Sequence, residues 1–596
     1  MEDENQSIWA KRMTLKDQAN VIKGLFPFLK PFKWYFVAGI IFIGLVSIIN
    51  VLLPRILQDF MNNHLSKAST EFKTLIMFAA IYFGMTLLKA IFQFAQQYLY
   101  GLGGTYVEIH MREKLYEHIH KLGMRYFDQT PAGSILSRVT NDTQAIFQVW
   151  YLFMLMIMGG FAMVTSFYAM FVTNHQIALA MLIFVPILLG AVYYYQRISS
   201  RVYGGMREKL SQLNAKIAES VTGIEVIQEF RQEERMQTEF AQINDEYRNA
   251  RIKMIKTESL LLNPLIDVFY GLGIVIILWM FGLQANTGAI VAAGTVYAFV
   301  SYLETFYNPI NEVMEQLSTF QDGSVAGTRV LKILANDEYA PKQAPDAHGE
   351  ITNGKIEFRD VTFSYDGVHP VLKHLSFVAE PGQTVGLVGH TGSGKSSTIN
   401  ALLRFYEFQE GQILIDDQDI REYPIAEIRK KMGLVLQESF MFYGDVASNI
   451  RMFNSDITDE QVQAAAEFVE ARFIDELPGK YHEPVIEHGA TFSAGEKQLL
   501  NFARTVVTNP KILVLDEATA NVDTETETII QTSLEKMRAN RTTIAIAHRL
   551  STIKDAELIL VLDQGEVVER GTHEELLALN GRYRDMYELQ GTVDLD

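Results

Sequence analysis

In the first half of the chain the apolar residues come in long blocks rather than in alternation with polar ones. Six blocks, at approximately 35–53, 75–98, 150–172, 177–195, 260–283 and 290–308, stand out. A helix rises about 1.5 Å per residue, so about twenty apolar residues cross a hydrocarbon core about 30 Å thick. The pattern therefore predicts six membrane-spanning helices. Ahead of the first, 25–34 mixes apolar residues with Lys30, Lys33 and two prolines, which reads as an interfacial elbow or a plain linker. Between blocks two and three, and between four and five, the pattern turns helical and amphipathic, as in 111–120 and 211–230. These connections predict arms extending the spanning helices, with turns near 128–133 and 220–223 placed to meet another domain. From 322 to 354 the chain is polar, with Pro341 and Pro345, and reads as a linker. Beyond it the blocks shorten to strand length: 355–365 alternates, while 384–388, 511–516 and 543–547 are apolar throughout. Short apolar runs among helical stretches predict an α/β domain with a buried parallel sheet. The expected organisation is an N-terminal segment 1–34, an all-α transmembrane domain 35–321, a linker 322–354 and an α/β domain 355–596.

Charge gives the membrane half a direction. The short connections after blocks three and five carry no Lys or Arg. The two long ones carry Arg112, Lys114, Lys121, Arg125 and Arg138, then Arg197, Arg201, Arg207, Lys209, Lys216, Arg248, Arg251, Lys253 and Lys256. The excess of cations places both arms and both termini on the cytoplasmic side. Residues 1–20 are polar and mixed in charge, so no cleavable signal peptide is expected. Asp267 and Glu304 interrupt apolar blocks; each could attract a cationic substrate or hydrogen-bond a neighbouring helix. Net charge is −18 although 48% of residues are hydrophobic, as expected of a membrane part joined to an acidic soluble part. That acidity argues against nucleic acid as a partner. With no cysteine in the chain, disulfides, thiolate catalysis and Cys-ligated metals are excluded.

The chemistry concentrates in one stretch, Gly389-His390-Thr391-Gly392-Ser393-Gly394-Lys395-Ser396, set between an apolar strand and a helix that opens at Ser397. This is the context of a P-loop: glycines let backbone N–H groups converge on phosphate, and the helix N-terminus adds positive potential. Lys395 can reach the β- and γ-phosphates, and the Ser396 hydroxyl can ligate Mg²⁺. Downstream, the strand 511–516 ends in Asp516 and Glu517. Asp516 is placed to hold Mg²⁺ through water, and Glu517 to polarise the water attacking the γ-phosphate. His548, after a further apolar run, could donate to the same phosphate. Tyr365, at a strand end, could stack on the nucleotide base.

Two intervening stretches, 434–438 (Leu-Val-Leu-Gln-Glu) and 492–498 (Phe-Ser-Ala-Gly-Glu-Lys-Gln), with Asn521-Val522-Asp523 and His548, carry a resemblance. They look like the Q-loop, signature, D-loop and H-loop of an ATP-binding cassette (ABC) transporter. The first half resembles the six-helix domain of ABC exporters, including 126–142 as the first cytoplasmic loop. The resemblance implies a P-loop NTPase domain with a helical subdomain, ATP and Mg²⁺ as cofactors, and two cassettes closing head-to-tail. Gln437 would then contact Mg²⁺, Ser493 and Gly495 would contact a γ-phosphate held by the opposite subunit, and Asp523 would belong to the nucleotide site. The usual signature is Leu-Ser-Gly-Gly-Gln; here Ala494 and Glu496 replace a glycine and the glutamine. An intact ATPase half with a weakened signature resembles one subunit of a heterodimeric bacterial multidrug exporter in the cytoplasmic membrane. The implied partners are a second half-transporter, membrane lipid and a small hydrophobic or cationic substrate. A homodimer, a lipid or peptide translocator, and a membrane sensor that moves nothing remain open.

Overall fold

The computed structural model describes residues 15–65, 71–261, 263–288, 290–437, 439–516, 524–547 and 550–593. It divides into two compact units: Met1–His120 with Pro131–Asn336, and Lys121–Thr130 with Asp337–Asp596.

The first unit is helical. A helix Leu15–Leu29 and a 3-10 turn Lys30–Phe32 precede the long helix Lys33–Phe60, so the region predicted as an elbow is mostly helix. Helices Phe72–Ile119, Thr143–Thr173, Phe184–Thr222, Glu233–Leu261, Asn263–Asn286 and Ala293–Leu334 form the bulk of the unit. Among the described residues five helical segments are long and apolar enough to cross a membrane. The sixth predicted block lies in Ala293–Leu334, where Glu304, Ser301 and Asn308 dilute the apolar run. Phe83, Ile91 and Phe94 lie exposed on Phe72–Ile119, a surface that water disfavours and lipid accepts.

Close approach inside this unit depends on small side chains. Ala293–Leu334 packs along Thr143–Thr173, and a Cβ on Gly323 would stand 2.7 Å from the Ala145 carbonyl oxygen. In the same unit the buried Tyr100 hydroxyl donates to the Trp150 carbonyl at 2.8 Å. The helix Phe184–Thr222 ends at Gly223, where the turn was predicted, and Glu233–Leu261 packs back on it. Lys216 to Glu239 at 2.8 Å and Lys209 to Glu246 at 2.7 Å link this pair of helices.

The second unit holds twelve strands among its described residues, of which β7 (Gly444–Asp445) and β8 (Pro484–Val485) form a separate pair. Strands β1 (Ile356–Phe363), β2 (Leu372–Ala379), β4 (Glu410–Ile415) and β5 (Gln418–Asp419) make an antiparallel sheet ordered β2-β1-β4-β5. A six-stranded sheet contains β3 (Thr384–Val388), β6 (Met432–Val435), β9 (Ile512–Asp516), β10 (Thr542–Ile546), β11 (Leu558–Asp563) and β12 (Glu566–Gly571). Its order is β12-β11-β3-β10-β9-β6, parallel except for β12. The apolar runs are explained by burial on both faces. In β9, Ile512 and Val514 join the core shared with the antiparallel sheet, while Leu513 and Leu515 join the core under the helix Ala494–Val506.

The segment Lys121–Thr130 folds with the second unit although it is encoded between helices of the first. Leu122 bridges to Tyr339, the Gly123 N–H donates to the Glu338 carbonyl at 2.9 Å, and Met124–Gln129 forms a short helix.

Candidate nucleotide site

Strand register gathers the candidate residues at one edge. Asp516 pairs with Ile546, and Ile546 pairs with Leu387, so β9, β10 and β3 end level with one another. In open α/β sheets ligands bind outside these carboxyl ends. β3 runs directly into the Gly389–Gly394 loop, and the helix Lys395–Leu402 follows. Gly389, Gly392 and Gly394 have φ of +150°, +83° and +108°. At Gly389 a side chain is also excluded sterically, because a Cβ would lie 2.2 Å from the Leu562 carbonyl oxygen. Lys395 is nearly buried and its ammonium donates to the carbonyls of Gly389 (2.7 Å) and His390 (3.1 Å). The Ser393 hydroxyl is buried and has no protein partner. A buried donor without an acceptor, inside a loop of converging N–H groups, suits an anion such as phosphate. His390, Thr391 and Ser396 are exposed at the loop's open side, and Ser397 faces inward.

Tyr365 follows β1, and its hydroxyl lies 3.0 Å from Ser397 Oγ. It also accepts from Asn400 Nδ2 at 3.0 Å, so the ring is fixed against the P-loop helix. Gln437 is exposed two residues beyond β6, and Asp516 is half-buried at the end of β9. Glu517, Asp523 and His548 lie outside the described residues.

Ser493 caps the helix Ala494–Val506, while Gly495 is buried in its first turn. Its hydroxyl accepts the Glu496 N–H at 3.2 Å, and the Ser493 N–H donates to Glu496 Oε2 at 2.7 Å. This reciprocal capping box occupies the helix end with a carboxylate. The signature helix also holds the stretch after Gln437. Ser439 donates to Gln498 Oε1 at 2.8 Å, and Arg504 donates to the Phe440 carbonyl at 2.9 Å. Burial pushes the Arg504 guanidinium down to about 10. Sequence patterning pointed to neither contact, since both depend on side chains about sixty residues apart.

Asp267 and Glu304 are both exposed on helices of the first unit, on Asn263–Asn286 and Ala293–Leu334 respectively. Among the described residues no cluster of three or more His, Asp or Glu is gathered as a protein-only metal site.

Comparison with known proteins agrees with this geometry. Residues 36–310 match the ABC transporter transmembrane region, and residues 372–520 match the ABC transporter domain. The chain is 42% identical to a putative ABC transporter ATP-binding protein of Streptococcus pneumoniae, covering 98% of this chain and 99% of that one. It is 41% identical to a probable multidrug resistance ABC transporter ATP-binding/permease protein of Bacillus subtilis, covering 87% and 77% respectively. A solved bacterial Atm1-family ABC exporter with ATP bound superposes with a TM-score of 0.76 at 26% identity, covering 94% of this chain and 98% of that one. With a transmembrane region fused to a cassette built around the Lys395 loop, the chain belongs to the ABC transporter family, as a half-transporter exporter whose ATPase is coupled to transport.

Proposed function

We propose that the chain is one half of a heterodimeric exporter that moves hydrophobic or amphipathic compounds out across a bacterial cytoplasmic membrane. The observation carrying this reading is an intact phosphate loop in the same chain as a signature helix capped by a carboxylate. In this scheme residues 35–321 are the transmembrane domain, 322–354 the linker and 355–596 the cassette, although 322–334 continues the helix that opens at Ala293.

Within the site each residue has a task. The Gly389–Gly394 N–H groups and the Ser393 hydroxyl bind phosphate oxygens, and Lys395 turns from its loop carbonyls to the terminal phosphates. Tyr365 stacks on the adenine, Ser396, Gln437 and Asp516 hold Mg²⁺, and Asp523 serves the nucleotide site. Glu517 takes the proton of the attacking water, and His548 donates to the terminal phosphate. Ser493 and Gly495 serve the partner's nucleotide.

One observation favours a second, different chain, and another favours a second subunit of either kind. First, Glu496 occupies the Ser493 N–H that would otherwise face a partner-bound phosphate, and it adds negative charge there. An equivalent chain would weaken both of its own sites in this way; a partner with an intact signature spares one. Second, the tip of the second arm leaves Val221, Ile224, Val226 and Phe230 exposed. Four apolar side chains on one cytoplasmic turn suit docking into another subunit.

Glu496→Gln tests the charge separately from the cap, because glutamine still accepts the Ser493 N–H. ATP turnover of the assembled complex should rise by no more than about twofold, because the spared site already turns over; a larger gain would favour a homodimer with both sites weakened. Unchanged turnover would clear the carboxylate of any role. Export itself is tested by ATP-dependent uptake of a cationic fluorophore into inverted vesicles. Uptake missing with the fluorophore but present with a labelled phospholipid would move the substrate class to lipid. ATP turnover without movement of either would favour a sensor. Purification of the chain with an untagged, different half-transporter supports the heterodimer, and a pure dimer of this chain overturns it.

A further inference from the structure

Tyr406 follows the P-loop helix and belongs to none of the motifs described above. Its ring stands edge-on to Tyr365, with centroids 4.9 Å apart and planes at 89°. Its hydroxyl donates to Asp128 Oδ2, on the short helix of the Lys121–Thr130 segment, 278 residues earlier in the chain. Tyr365 is itself tied to the P-loop helix through Ser397 and Asn400. One continuous set of contacts thus leads from the P-loop helix to a segment covalently joined to two membrane-domain helices.

The link has a defined polarity. Burial, together with the Asp128 carboxylate, holds the Tyr406 phenol well above the ordinary tyrosine range, so it remains a donor at physiological pH. A phenylalanine would fill the same space against Phe363 and Tyr365, so packing alone does not require the hydroxyl. The neighbouring Arg404 grips the linker instead, donating to Gln343 Oε1 and the Lys342 carbonyl, both at 3.2 Å.

We infer that Tyr406 is a positioning residue that carries base stacking on Tyr365 to Asp128, and so to the Lys121–Thr130 segment, by a route separate from Gln437. This rests on the reading of Tyr365 as the base platform. Its distinguishing consequence is that the segment responds to a nucleotide with a base and not to the polyphosphate alone.

The test uses the assembled complex with a polarity-sensitive fluorophore on Gln129→Cys. That position is exposed, and the chain has no other thiol; partner cysteines are replaced. Mg-ATP should shift the emission, and Mg-tripolyphosphate at saturation should not. In Tyr406→Phe, and separately in Asp128→Asn, the ATP-induced shift should fall about fivefold while the KM for ATP stays within about twofold. The double variant should lose no more than either single one. An equal shift with tripolyphosphate, a shift retained in both variants, or additive losses would overturn the route. Wild-type ATP turnover without any shift would overturn it too. Absence of both turnover and shift would sink the nucleotide-site reading beneath it.

Discussion

Replacing Glu517 by glutamine is expected to lower ATP turnover by about a hundredfold or more while leaving ATP binding intact. Glu517 immediately follows Asp516, the last residue of β9, and that strand ends level with β3 and β10 beside the phosphate loop. A carboxylate there can take the proton of the attacking water; the amide cannot, although its size is the same. Binding should not suffer, because in the proposed scheme the glycine loop, Ser393 and Lys395 supply the phosphate contacts. The expected result is a complex that retains labelled ATP on rapid filtration yet releases almost no phosphate. Phosphate release at the wild-type rate would remove Glu517 from the catalytic role.

The second large effect is on stability. The Arg404 side chain is fully buried and forms paired 2.7 Å hydrogen bonds with Glu407, besides its contacts with Gln343 and Lys342. Methionine would fill much of the volume but take the donor from Gln343 Oε1 and the Lys342 carbonyl, while Glu407, 46% exposed, can turn to water. Removing the donor from such an arrangement, with its carboxylate partner partly solvated, costs about 2–3 kcal/mol. For a domain of this size that corresponds to a drop of roughly 4–12 °C in apparent Tm. Lysine should not rescue, because a single ammonium cannot reproduce the planar fork. Apparent Tm of the purified complex, followed by intrinsic fluorescence, checks both variants. A drop below about 2 °C for Arg404→Met would show that the linker contacts contribute little.

The parts of the molecule legible in its sequence are those with local causes. Ile512–Leu515 and Thr543–Ile546 read as buried strands because both faces meet apolar cores. The glycines at 389, 392 and 394 read as a phosphate loop because their backbone demands are set within eight residues. Length and apolarity likewise marked the spanning helices, least clearly at Glu304, where polar residues break the block. What stayed hidden depends on distant partners. The Ser493–Glu496 cap is the exception: serine followed three residues later by glutamate is a local helix-start signature, here overlaid on the transporter motif. The pairing of Tyr406 with Asp128 joins residues whose sequence positions carry no shared signal. Tyr365 had a plausible role from its place at a strand end, but its anchoring to Ser397 and Asn400 required the tertiary fold.

The interleaving of Lys121–Thr130 with the C-terminal half bears on synthesis and dissection. Leu122 and Tyr126 are buried in a body whose remaining residues emerge from the ribosome more than two hundred positions later. Until then these side chains wait without their partners, and the cassette, once made, completes itself around a segment synthesised long before it. A fragment beginning at the linker would lack them and leave Tyr406 uncovered. Cut from its chain, the ATPase half would be a stickier and less stable protein than the same residues in place.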